Sequence, residues 1–147
     1  MSMQKSVLFV CLGNICRSPA CEGICRSIVN GSIKVDSAGT CSFHVGQSPD
    51  SRSENVCKKN GVDISHQRAR QIKNSDWDTF DVIAALDQSV YQTLEYQKPK
   101  NAKASLVLFN PPEGIDDPYY GGDNGFQIMF DNIKAAMPGF LKDNGLI

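Results

Sequence analysis

The chain has 147 residues, the length of one ordinary domain, and 41% of them are hydrophobic, enough for a core of real size. A formal net charge of -1 gives no bulk attraction to nucleic acid or to an anionic membrane, so any recognition of anions must be local. No stretch approaches the length of a transmembrane helix, and the apolar run in the opening MSMQKSVLFVC is too short for a secretory signal and lacks a cleavage site; a cytoplasmic protein is expected.

SVLFV, Ser6 to Val10, is a continuous apolar run suited to a strand covered on both faces. A loop follows, and then PACEGICRSIVN, Pro19 to Asn30, reads as a helix with Pro19 in its first turn and Gly31 as its stop. IKVD, Ile33 to Asp36, reads as a second strand. SPDSRSENVCKKNG reads as a second helix, with Ser48 as cap, Pro49 at its first position and Gly61 after its end. The stretch from Ile64 to Asp78 reads as short helix and loop. DVIAAL (Asp81 to Leu86) and ASLVLF (Ala104 to Phe109) are the third and fourth strands, separated by the helix-compatible DQSVYQTLEYQ. A last helix starts near Phe126 and is expected to break at Pro138.

No repeat, low-complexity tract or linker interrupts this order, so residues 1–147 are expected to form a single domain. Four buried strands with helical crossovers imply an α/β fold: a small doubly wound, four-stranded parallel sheet with helices on both faces. All strands of such a sheet end at one edge. The Cys11 loop, SAGTCSFH, Asp87 and NPPEGIDDPYYGGDNG should therefore face one crevice.

The six cysteines are Cys11, Cys16, Cys21, Cys25, Cys41 and Cys57. A chain with this much core needs no disulfide scaffold, the cysteine spacing lacks the C-x2-C pairs of zinc sites, and His44 and His66 are isolated. No metal and no cofactor are expected. Cys21 and Cys25, one helical turn apart, read as core positions.

The stretch VCLGNICRSP carries the chemistry. A loop between a buried strand and a helix N-terminus presents backbone N–H groups and the positive end of the helix dipole, a ready anion site. Gly13 permits positive φ and Asn14 tolerates it, so the loop from Leu12 through Gly13, Asn14, Ile15 and Cys16 to Arg17 and Ser18 can curl around an oxyanion. The guanidinium of Arg17 can clamp two oxygens, which favours a tetrahedral phosphate. Such surroundings should acidify Cys11 below the usual value of about 8.5 and make it a nucleophile. A bare Cys-x5-Arg spacing is not specific; the strand, glycine, asparagine, serine, proline and helix around it are. The long loop from Asn110 to Gly125 offers Asp116 and Asp117, adjacent carboxyls either of which can protonate a leaving oxygen.

These residues resemble the low-molecular-weight protein tyrosine phosphatases. The resemblance rests on VCLGNICRSP, DSAG, GQSPD, HQRARQ and DPYYGG, and spans nearly the whole chain. It implies a flavodoxin-like fold and hydrolysis of phosphotyrosine and aryl phosphate monoesters, an acid-phosphatase-like activity running through a phosphocysteine intermediate. Cys11 is then the nucleophile, Arg17 binds phosphate, and Asp117 protonates the leaving phenol and then activates water, leaving Asp116 a helper at most. Asn14, Ser18, Ser37 and His66 match the network that holds the loop, with Ser18 close to the thiolate. Phe43, Tyr119 and Tyr120 match the aromatic walls of the cleft. Cys16 matches a cysteine that pairs reversibly with Cys11 under oxidation. The partners implied are phosphotyrosine-containing proteins as substrates and phosphate-like anions in the active site, with no nucleic acid and no membrane, and the chain is expected to be a monomer. Phe43 stands where some members carry tryptophan, and Val90 where asparagine is frequent.

Two other readings share these residues. Arsenate reduction uses the same loop but needs further cysteines near the third strand, and IAALDQSVYQ has none. A module that binds phosphotyrosine without turnover has no need of both Cys11 and Asp117, which are present.

Overall fold

The computed structural model describes residues 4–119, 122 and 124–147. Its elements in chain order are β1 (Ser6–Cys11), α1 (Arg17–Val29), β2 (Lys34–Gly39), α2 (Ser51–Lys59), α3 (Asp76–Thr79), β3 (Val82–Ala85), α4 (Gln88–Gln97), β4 (Ser105–Leu108) and α5 (Gly125–Asp143). The four strands form one parallel sheet in the order β2-β1-β3-β4. This is the doubly wound α/β architecture that the alternation of apolar runs and helical segments implies.

β1 is central and buried along its whole length, because its side chains alternate between two covered faces. Val7 and Phe9 point into a core shared with α1 and α5, where the Phe9, Phe109 and Phe140 rings meet at centroid distances of 4.9 to 6.0 Å. Leu8 and Val10 point into a second core with Trp77, Phe80, Val90 and Leu94. Burial of both faces makes the SVLFV run continuous rather than alternating.

Several boundaries differ from the sequence reading. β2 continues past Asp36 through Ser37, Ala38 and Gly39, which pair with Phe9, Val10 and Cys11. These small residues look like loop formers, but pairing with a central strand overrides weak local propensity. β4 is the edge of the sheet and only half-buried, with Ser105 exposed, rather than a fully covered strand. α1 starts at Arg17, two residues before Pro19. α2 starts at Ser51 and not at Pro49; its cap is Asp50, whose side chain accepts from the Arg52 N–H, while Ser48 is exposed.

α5 runs without interruption through Pro138. The helix tolerates the lost N–H because Pro138 lies on the exposed face, where water can hydrate the freed carbonyl. The opposite face, Ile133, Met137, Phe140 and Leu141, stays buried in the core.

Candidate active site

The loops after β1, β2 and β4 meet at the C-terminal edge of the sheet around a cleft of about 270 Å³. Cys11, the last residue of β1, is 3% exposed at its floor, with Arg17, Cys16, Phe43, His44, Asp117 and Tyr119 among the lining residues. The crevice expected from parallel topology is therefore present, and three distant segments supply it.

The thiol of Cys11 lies 3.0 Å from Ser18 Oγ and accepts from the Asn14 N–H at 3.3 Å. Asn14 has φ 59, in the left-handed region that asparagine tolerates. Its side chain fixes the loop: Nδ2 donates to Ser18 Oγ at 2.7 Å and to Ser37 Oγ at 3.0 Å, and Oδ1 accepts from the Arg70 N–H at 3.0 Å. Ser37 Oγ in turn donates to Glu22 Oε1 at 2.7 Å. Ser37 and Ser18 thus both accept from the Asn14 amide, and Ser37 spends its own proton on Glu22. The Ser18 proton therefore has two choices, the Cys11 sulfur at 3.0 Å and the Ala38 carbonyl at 3.4 Å, and the sulfur is nearer.

Gly13 does not take positive φ, contrary to the sequence reading. Its missing side chain makes room instead: a Cβ there would meet His44 Cδ2 at 2.9 Å. His66, expected in the supporting network, is exposed and makes no hydrogen bond to it among the described residues. The turn closed by the Gln67 N–H on the Ile64 carbonyl sends Ile64 and Gln67 inward and His66 outward. Gln67, 8% exposed, donates to the Pro19 carbonyl at 3.1 Å beneath the loop, while its Oε1 has no hydrogen-bond partner among the described residues.

Arg17 is almost wholly buried, which is costly for a charge unless its donors are matched. Nη1 bonds Asp87 Oδ2 and the Ile115 carbonyl, and Nη2 lies 3.6 Å from Asp117 Oδ2. Asp87 also caps α4 by accepting from the Val90 N–H at 2.7 Å, so one carboxylate fixes both a helix and the arginine. Ile115 reaches Arg17 because Gly114, at φ +74, lets the chain pass so close that a Cβ would meet the Leu86 carbonyl oxygen at 2.6 Å.

α1 begins at the cleft with no acidic residue in its first turn and, among the described residues, no side-chain cap, an arrangement suited to an anion. Of the adjacent carboxyls, Asp117 lines the cleft with a 41% exposed side chain, whereas Asp116 is exposed and does not. Phe43 stands 84% exposed on the rim and Tyr119 is half-buried opposite. Tyr120 lies outside the described residues. Cys16 lines the same cleft, and burial pushes its thiol far above the ordinary range. Sequence reasoning gave no role to Asp87 beyond its place at the edge, or to Glu22, Arg70, Gln67, Asp50 and Arg52; a buried carboxylate at helical spacing from a loop serine carries no signature of its own.

A thiol at the end of a central strand, an uncapped helix and a buried arginine around one cleft define a class: α/β proteins built to hold a tetrahedral oxyanion against a sulfur nucleophile. The family model for low molecular weight phosphotyrosine protein phosphatase matches residues 6–144. The chain is 40% identical over 150 residues to the low molecular weight phosphotyrosine protein phosphatase of Rattus norvegicus, covering 94% of each. The solution structure of the low molecular weight protein tyrosine phosphatase from Tritrichomonas foetus is 60% identical with a TM-score of 0.86, and 100% of each chain is covered. A crystal structure of a protein tyrosine phosphatase from Entamoeba histolytica, with Hepes in its active site, is 34% identical with a TM-score of 0.87, covering 98% of this chain and 100% of that one. The chain belongs to the low molecular weight phosphotyrosine protein phosphatases, hydrolases that cleave phosphotyrosine through a phosphocysteine intermediate.

Proposed function

We propose that Cys11, Arg17 and Asp117 carry the reaction on phosphotyrosine-containing proteins and simple aryl phosphates. The observation that carries this reading is the placement of the Cys11 sulfur and the Asp117 carboxyl in one cleft, with Arg17 bridging to Asp117. The Cys11 thiolate attacks phosphorus while the P–O bond to the phenol breaks, and Asp117 gives its proton to the departing oxygen. Water then attacks the phosphocysteine, Asp117 takes the proton, and the S–P bond breaks to return the thiolate and release phosphate. Arg17 and the amides of the loop from Leu12 to Ser18 hold the equatorial oxygens throughout. Ser18 stabilises the thiolate, with Asn14 and Ser37 behind it; Gln67 rather than His66 supports the loop from below.

Phe43, Tyr119 and Tyr120 flank the aryl ring and favour a flat phenyl phosphate over a shorter serine phosphate. Cys16 forms a disulfide with Cys11 under oxidation and shields it from higher oxidation states. The chain acts as one domain, as a monomer and in the cytoplasm. The six free cysteines fit a reducing compartment, and among the described residues no helix is long and apolar enough to cross a membrane.

Hydrolysis of p-nitrophenyl phosphate against pH tests the assignment. Wild type is expected to turn over with a bell-shaped pH profile on the acid side, as a reaction that needs both a thiolate and a general acid requires. Cys11→Ser should be inactive and Asp117→Asn slowed about a hundredfold or more. A rate rising steadily into the alkaline range, or a Cys11→Ser protein that still releases phosphate, contradicts these roles.

A further inference from the structure

We propose that Arg52, braced by Asp50, is a positioning residue that sets Asp117 over the cleft; the inference rests on the role given above to Asp117. The side chain of Arg52 is 47% exposed, yet its guanidinium is engaged on both edges and on its face. Nε and Nη2 bond the two oxygens of Asp50 at 3.0 and 2.9 Å. Nη1 donates to the Tyr119 carbonyl at 3.1 Å, and Cζ lies over the rings of Phe126 and Tyr119, 4.6 and 5.2 Å from their centroids. An isolated surface ion pair contributes little to stability, but a guanidinium forked onto a carboxylate and set over two aromatic rings is an orienting device.

Both ends of this brace are fixed in the active site. Asp50, with only 12% of its side chain exposed, donates its N–H to the Ile15 carbonyl of the phosphate loop at 2.8 Å and caps α2. At the other end, the Tyr119 carbonyl is held by Arg52 and its N–H by Asp117 Oδ1 at 3.0 Å. That second bond directs the other oxygen of Asp117 toward Arg17, 3.6 Å away. A hydrogen-bonded path therefore runs from the phosphate loop through Asp50, Arg52 and Tyr119 to the proposed acid. Asp117 lies between β4 and α5, where no regular element is found among the described residues. Phosphoryl transfer from an aryl ester needs the acid only in proportion to how poorly the phenolate leaves, so an acid out of place has a signature that lost stability does not share.

The experiment compares kcat/KM for phenyl phosphate, a poor leaving group, with that for dinitrophenyl phosphate, whose phenolate departs without protonation. Asp117→Asn should lose about a hundredfold on phenyl phosphate and little on the dinitrophenyl ester. Arg52→Met, which keeps the apolar stem, should lose about tenfold on phenyl phosphate and under twofold on the other. It should cost nothing further when combined with Asp117→Asn. Arg52→Lys, which keeps the charge but not the fork, should fall between and carries the same test should Arg52→Met fail to fold. If Asp117→Asn shows the leaving-group dependence but the Arg52 variants slow both esters alike, or their losses multiply with that of Asp117→Asn, the positioning role is wrong. If Asp117→Asn itself slows both esters alike, the acid has been misassigned and this proposal falls with it.

Discussion

At the scale of single residues, the cysteines separate by environment rather than by sequence. Burial pushes the thiols of Cys25 and Cys57 up to about 12 and Cys21 well above its ordinary value, so these three remain protonated and inert at neutral pH. Cys16 is also raised, first by burial and then by Asp50 and Cys11, but unlike them it lines the active-site cleft. A thiol held protonated beside a nucleophile does not compete for substrate, and because it shares the cleft with Cys11 it is the cysteine proposed above to condense with a sulfenic acid formed there. Peroxide is therefore expected to inactivate wild type in a way that dithiothreitol reverses. Cys16→Ser should recover much less, because its Cys11 proceeds to irreversible states. Equal recovery of the two proteins removes Cys16 from the protective step.

The helices carry the next level of control, and α1 shows it through Glu22. This carboxyl is raised above its ordinary 4.5 chiefly by burial, against the lowering effects of its bonds from Ser37 and Arg26. The folded state thus holds its proton to higher pH than the unfolded chain does. The stabilisation this gives is present below 4.5 and is lost as pH rises through the raised folded value. Glu22→Gln removes that slope, so its unfolding free energy should improve relative to wild type as pH climbs from about 4.5 toward neutrality. Denaturant unfolding at a series of pH values gives the difference; parallel curves for the two proteins refute it. Asp50 at the start of α2 has the opposite sign. Hydrogen bonding from Arg52 lowers its carboxyl, so its contribution holds above 3.8 and fades as acid protonates it.

The same elements show what a sequence exposes and what it hides. SVLFV and DVIAAL announce strands because both faces of a parallel sheet must be apolar, and VCLGNICRSP announces an anion loop because each residue type has a task there. The start of α2 is obscured because Ser48-Pro49 and Asp50-Ser51 are both acceptable openings, and only the Asp50 bonds to Ile15 and Arg52 decide between them. Pro138 is tolerated for a reason that lies in which face of α5 is buried. The exchange of His66 for Gln67 depends on the phase of a single turn, which no local pattern fixes.

For the molecule as a whole, the order β2-β1-β3-β4 sends the loops after all four strands to one edge, and Arg17 is the point where those after β1, β3 and β4 are joined. Its guanidinium ties α1 to the α4 cap through Asp87, to the loop after β4 through Ile115, and to Asp117. An anion bound there completes the match of donors around a buried charge and so stabilises the entire fold, not one loop. Inorganic phosphate at ten times its dissociation constant for wild type, the same concentration being used for each variant, should add about 1.4 kcal/mol to wild type. For a domain of this size that raises Tm by about 4 °C. With ionic strength matched by potassium chloride, Arg17→Met should show almost none of this shift. Asp117→Asn should show a larger one, because it removes a carboxylate that competes with phosphate for Arg17 Nη2 at 3.6 Å. A shift of equal size in all three proteins would place the anion elsewhere and detach Arg17 from phosphate recognition.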